Sequence, residues 1–306
     1  MVARLALRVL TRLLPVLAGV TVLVFAIVHL IPGDPAVIAA GLEASPDTVA
    51  RIRQDLGLDQ PLVTQFVTFT GRALRGDFGT SIRTGRPVGA EIADRLPHTL
   101  ILAAASVALA TVLGLAAGIT AAIVRRRSVD RAVMAASLVA VSTPSFWLAL
   151  MLMLVFSLGL GLLPAIGAGT PAHYVLPAIA LGLQSAGQIA RMTRASMLDV
   201  LQQDYLRAAR AKGLRESTVI LRHALGNALL PVVNLIGLRV GGLLAGTVLV
   251  ETVFAIPGVG RMMVDAVIAR DFPMIQGGVL FVASAYVLVN AATDLLTAAL
   301  DPRLRA

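Results

Sequence analysis

The chain has 306 residues, of which 57% are hydrophobic and only 14% charged, against about 25% charged in a soluble domain. That is too little polar side chain to cover a water-facing surface, which excludes an ordinary soluble enzyme and points to an all-α polytopic membrane protein. A formal net charge of +9 raises nucleic acid as a partner, and the absence of cysteine removes disulfides, thiolate metal sites and thiol nucleophiles.

The first apolar segment runs from Leu10 to Ile31 behind Arg4, Arg8 and Arg12. A basic start before an apolar run resembles a signal peptide. The run is long for that role, however, and IPGDP stands where a small-residue cleavage site belongs. It reads as an uncleaved first transmembrane helix, ended by Pro32 and Pro35. Residues 32–97 differ in kind, because arginines there nearly balance aspartates and glutamates. They read as a small extracytoplasmic segment. It holds a capped helix that starts at Ser45 or Asp47 and stops before Gly57, then a second helix in QPLVTQFVTFTGRAL.

Further spans follow at Thr99–Val124, Ala132–Leu160, Tyr174–Ala190, Asn227–Val250 and Gly277–Leu300, six in all. Pro144 inside the third implies a kink whose freed carbonyl needs a neighbour. The transmembrane core thus covers residues 98–300, with a loop at 191–226 and a tail at 301–306. Arginine and lysine in the short connections set the orientation. With the N-terminus inside, the cytoplasm receives Arg4, Arg8, Arg12, Arg125, Arg126, Arg127, Arg131, Arg191, Arg194, Arg207, Arg210, Lys212, Arg215, Arg222, Arg303 and Arg305, which are 16 of the 26 basic residues. Both ends then lie inside. The basic excess is topological, and no nucleic-acid partner is expected.

A membrane protein that moves a solute against a gradient needs an energy source. A phosphate-cradling loop of the form GxxxxGK[ST] needs a lysine, and the only one, Lys212, is followed by Gly213. Any ATPase must be another subunit. Acidic residues within spans are scarce, with Asp294 the main one, and His29, His98, His173 and His223 lie far apart near segment ends. No catalytic or metal-binding set is evident, so the chain reads as non-catalytic.

Residues Leu198–Arg222 place a basic patch between two apolar segments. Leu198, Leu201, Tyr205 and Ala208 form an apolar stripe, opposite Asp199, Gln203, Arg207 and Arg210, and Gly213 ends or bends this amphipathic helix. Composition leaves two readings open, a helix lying on anionic lipid and a docking helix for a soluble partner. Within the spans, Gln184, Gln188, Asn234 and Arg239 are candidates to line a solute pathway. Burying arginine in a bilayer costs at least roughly 2.5 kcal/mol, so Arg239 must face a lumen, a neighbouring helix or a partner. As a pathway residue it favours anionic groups.

DYLRAARAKGL at 204–214, followed by HALGNALLPVV at 223–233, resembles the EAA-type cytoplasmic loop of ABC-importer permeases, and more narrowly the dipeptide/oligopeptide/nickel permease family. HLIPGDP at 29–35, LGLDQP at 56–61, GDFGTS at 76–81, ETVFAIPGVGRMMVDAV at 251–267, RDFPMIQG at 270–277 and DPRLR at 301–305 agree, so the likeness runs almost end to end. Arg207 departs from the motif by standing where it has glutamate. The resemblance implies a type I ABC importer permease fold in a bacterial cytoplasmic membrane. It implies a coupling helix that contacts the ATPase through Asp204, Tyr205, Ala208, Ala209, Arg210, Lys212 and Gly213. The implied partners are a second homologous permease, two ATPase subunits or one fused pair, an extracytoplasmic solute-binding protein and membrane lipid. ATP and magnesium are expected on the ATPases, with no cofactor on this chain. Peptides are the default solute, with nickel, metal chelates and glutathione-like solutes as alternatives. A self-contained secondary transporter or channel, and an intramembrane enzyme, are the rival classes.

Overall fold

The computed structural model of the chain describes residues 2–30, 34–41, 44–55, 57–124 and 126–300. Pro32, Arg125 and the 301–306 tail with its DPRLR stretch lie outside the described residues, as does the Asp294 side chain. Among the described residues the regular structure is helical, apart from an isolated antiparallel bridge between Thr80 and Pro87. The elements are α1 (Val2–Leu30), α2 (Pro35–Ala40), α3 (Pro46–Asp55), α4 (Leu62–Ala73), α5 (Val88–Ile123), α6 (Arg127–Ser142), α7 (Ser145–Leu152), α8 (Val175–Leu201), α9 (Asp204–Ala211), α10 (Glu216–Thr218), α11 (Leu225–Val253), α12 (Val259–Ile268) and α13 (Phe272–Leu300). π-helical turns at Met153–Gly159 and Val219–Ala224 extend α7 and α10.

Local chemistry accounts for the starts. Asp34 caps α2 by accepting the Ala36 N–H at 2.9 Å, with Pro35 in the first turn. Ser45, one of the two expected start residues, accepts the Thr48 N–H at the head of α3. The spans differ from their expected limits. Helix α5 begins at Val88 and runs through Pro97, and α8 continues past Ala190 to Leu201. The third span is not a kinked helix but two helices meeting at 103°. Pro144 lacks an N–H and drives Thr143 to φ −83°, ψ 123°, so the helix ends there and restarts at Ser145.

By length and hydropathy alone, Val88–Ile123, Glu216–Leu243 and Phe272–Thr293 qualify to cross a membrane, and the bent pair is a fourth if it forms one span. Helix α1 falls short because its apolar described part is Leu14–Leu30. In α8, Gln184, Gln188 and Arg191 interrupt the apolar run.

The chain divides into two compact units. The first comprises Met1–His98 with Pro257–Val287. In it Phe25 of α1 stacks edge-on against Phe66 of α4 at 5.3 Å, and His29 meets Gln65 at 3.1 Å. Its core gathers Val88, Ile92, Val259, Met262, Met274 and Ile275. The second unit comprises Thr99–Ile256 with Leu288–Ala306 and is organised around α8. Lipid offers helices no hydrophobic reason to associate, so close packing of small residues carries the contact. A Cβ on Gly118 of α5 would lie 2.5 Å from the Ala190 carbonyl of α8. One on Gly187 of α8 would lie 2.6 Å from the Ser137 carbonyl of α6. Asp130 of α6 and Arg194 of α8 add a two-pronged ion pair, with Nη2 to Oδ2 at 2.6 Å. We expect Gly118→Val to lower stability by about 1–3 kcal/mol through forced helix separation, read as a fall in the detergent melting temperature; an unchanged value refutes the close approach.

Candidate functional site

The basic loop forms a folded device built from its own sequence. Helix α9 ends in a Schellman turn. Gly213 takes φ +79°, its N–H donates to Arg210, and the Leu214 N–H returns to the Ala209 carbonyl. Nothing lies within 4 Å of a Cβ placed on Gly213. Glycine is therefore favoured by the left-handed backbone and not by space, and the left-handed conformation costs other residues about 1–2 kcal/mol. Across this turn the Arg210 guanidinium grips both oxygens of Glu216, at 3.0 and 2.9 Å, and the carboxylate raises the Arg210 pKa.

Burial corrects the expected stripe. Helix α8 stops at Leu201 and α9 starts afresh at Asp204, so Leu198, Leu201, Tyr205 and Ala208 do not share one continuous helix. Leu206 is the anchor, with 0% exposure, inside a cluster with Met197, Val219, Ile220, Ala224 and Ala228. Ala209 is half-buried against that cluster, whereas Tyr205, Ala208, Lys212 and Gly213 are exposed. Asp204 and Arg207 pair at 3.1 Å in the open, a contact of at most about 1 kcal/mol. Tyr205 bends back toward the base of α11, where its hydroxyl accepts from Asn227 at 2.9 Å. The outcome is a short helix held from beneath and presenting a polar, small-residue face.

The candidate pathway residues are not joined to one another by hydrogen bonds among the described residues. Gln184 donates to the Val141 carbonyl at 3.2 Å, and Asn234 is exposed. The Gln188 Oε1 and the Arg239 Nε are buried without a hydrogen-bond partner. Helices α8 and α11, which carry all four, pack extensively against each other. Among the described residues no group of three or more His, Asp and Glu is placed to hold a metal ion.

Sequence reasoning missed several groups. Glu216 carried a signal, since an arginine and a glutamate flank a helix-ending glycine. Asp271 carried half of one. As the residue before Phe272-Pro273 it is a natural N-cap, and it accepts the Met274 N–H at 3.3 Å. Nothing local announced its other partners, the Ser81 hydroxyl and the N–H groups of Ile82 at 3.2 Å and Arg83 at 3.3 Å. Two of the stretches that carried the family resemblance, GDFGTS and RDFPMIQG, are thereby tied together at a residue 2% exposed. Glu251, wholly buried on α11, likewise accepts from Thr99 on α5 at 2.7 Å.

Residues 114–306 match the family described as binding-protein-dependent transport system inner membrane component, and residues 1–103 match its N-terminal membrane component. The chain is similar to the glutathione transport system permease protein GsiC of Pectobacterium atrosepticum, with 50% identity over 293 residues and 96% of each chain covered. It is 47% identical to the Escherichia coli K12 protein of that name, over the same length and coverage. Among solved structures, the inward-facing MetNI methionine ABC transporter aligns with a TM-score of 0.58 at 21% identity, covering 69% of this chain and 96% of that one. An amino acid ABC transporter aligns at 0.53 and 16%, covering 70% and 94%. These last two speak to fold alone. We expect Leu206→Ala to destabilise the loop by about 2–5 kcal/mol, seen as faster tryptic cleavage at Arg207, Arg210 and Lys212; unaltered cleavage contradicts the anchor role.

Proposed function

Because this chain belongs to the binding-protein-dependent transport system inner membrane component family, we propose that it is one of two permease subunits in an ABC importer for small peptides of the glutathione type. A solute-binding protein delivers solute on the outer side. Two ATPase subunits, or a fused pair, close on ATP and magnesium inside, and the movement reaches the spans through the α9 loop. The chain itself is non-catalytic. It sits in the bacterial cytoplasmic membrane with both termini inside, as the arginine distribution favours, and lipid covers the faces that no subunit covers.

The observation that carries this reading is the α9 loop, a rigid helix and turn with an exposed Ala208 and Lys212 and a buried Leu206 foot. Force is transmitted only through an element that does not yield. The Gly213 turn, the Arg210–Glu216 grip and the Tyr205–Asn227 contact make this one stiff. Glutathione-type solutes are supported by the names of the relatives and by chemistry. Such peptides carry carboxylates, and the Arg239 Nε is buried without a hydrogen-bond partner among the described residues. A charged guanidinium left so is costly, and an anionic ligand relieves that cost.

The test is reconstitution of the complete complex in proteoliposomes. Uptake of labelled glutathione and dipeptides is expected to require ATP and the binding protein. Uptake by the chain alone refutes the reading in favour of a self-contained carrier. Arg239→Gln is expected to lower uptake about tenfold, a loss of roughly 1.4 kcal/mol, with assembly and ATPase rate retained; normal uptake removes Arg239 from the pathway. Ala208→Trp, which adds bulk on the exposed face, is expected to uncouple ATP hydrolysis from uptake while the melting temperature holds. Normal coupling removes α9 from the ATPase interface.

A further inference from the structure

Among the described residues, five helix ends close with the same paired turn. In each, a residue just past the helix has positive φ, and the next N–H reaches back to the final turn. Three of these positions are Gly57, Gly76 and Gly213, as stereochemistry favours. The other two are Ala255 at φ 52° and Arg270 at φ 54°. Arg270 is thus a large charged residue in a conformation that disfavours any side chain, at the end of α12. Its turn is complete: the Arg270 N–H donates to Val267 at 3.2 Å and the Asp271 N–H to Ala266 at 2.9 Å. A glycine there would serve the fold better. Strain kept where a relaxed residue would fit is a sign that the side chain is used.

What surrounds Arg270 tells what uses it. Asp271, the next residue, holds the Ser81 hydroxyl and the N–H groups of Ile82 and Arg83. It thereby fixes a tight loop at 80–87, closed by the Thr80–Pro87 bridge, beside the end of α12. Arg83 is exposed at the tip of this loop. The clamp therefore sets two exposed arginines, 187 positions apart in sequence, on adjacent backbone. Neither guanidinium meets a carboxylate among the described residues, and Asp77, Asp94 and Asp265 pair instead with Arg72, Arg86 and Arg261. Beside them, Val267 and Ile268 are 58% and 77% exposed.

We propose that Arg83 and Arg270, with Val267 and Ile268, form a preorganised docking surface for the soluble solute-binding protein, whose carboxylates meet the two arginines. The proposal rests on the importer reading above, which puts this face outside the cell membrane. Two exposed cations carried on firmly held backbone, beside an exposed apolar pair, complement an acidic protein surface with an apolar centre. Anionic lipid headgroups, being mobile, need no such fixed geometry.

The experiment uses the full transporter in nanodiscs made once from neutral and once from anionic lipid, with its purified binding protein as the probe. The variants are Arg83→Glu with Arg270→Glu, and Arg270→Gly alone. The charge-reversed pair is expected to weaken binding about fivefold at low salt, with a smaller effect at high salt. Arg270→Gly is expected to weaken it too while the melting temperature stays level or rises, an outcome that a purely structural role does not give. Equal binding by wild type and variants overturns the surface. So does a defect that appears only in anionic lipid, or loss of the second permease from the complex. If the wild-type transporter itself fails to bind any solute-binding protein, the importer reading fails instead.

Discussion

Helix α8 approaches its neighbours backbone to backbone, and the second unit depends on that closeness. Inside a bilayer the apolar tails are as favourable a surround as another helix, so association rests on packing and on a few polar contacts. Small residues make it possible: Gly118 against Ala190 and Gly187 against Ser137 remove the atoms that would hold the helices apart. Where α8 leaves the apolar region the contact changes character, and the Asp130–Arg194 pair takes over. A helix so fixed is a suitable lever, and the α9 loop hangs directly from its end.

That loop shows how rigidity is built at a surface. Few of its residues are buried, so no large core holds it. It relies on one anchoring leucine, a glycine turn, an ion pair across that turn and a tyrosine folded back on the next helix. Each is worth little alone. Together they leave Ala208 and Lys212 displayed on a braced helix, as the proposed ATPase contact requires.

The first unit solves a similar problem with a single buried carboxylate. Asp271 caps a helix that enters the apolar region and at the same time satisfies the N–H groups of a distant loop. An unpaired carboxylate at 2% exposure would be prohibitive, and here the bonds it accepts from Ser81, Ile82 and Arg83 add order to the loop. Arg270 stands beside it in a strained conformation that the clamp and the helix end hold in place.

The class, the helical composition and the family were legible in the chain itself, because hydrophobic length, scarce charge and local motifs such as DYLRAARAKGL are properties of consecutive residues. So was Gly213 as a helix end, since positive φ at that point is a local stereochemical demand. The span limits were less so. Pro144 was read as a kink and is a 103° break, and α5 passes through Pro97 undisturbed, because the effect of a proline depends on what satisfies the freed carbonyl nearby. The face of α9 was misread, with Leu206 and not the Tyr205–Ala208 stripe buried, since a two-residue interruption after Leu201 resets the helical phase. Sequence determined which residues prefer helix, lipid or a turn, all short-range preferences. Tertiary structure alone decided that Asp271 meets Ser81, Arg83 nears Arg270 and Glu216 holds Arg210, because those pairings follow from where packed helices end in space.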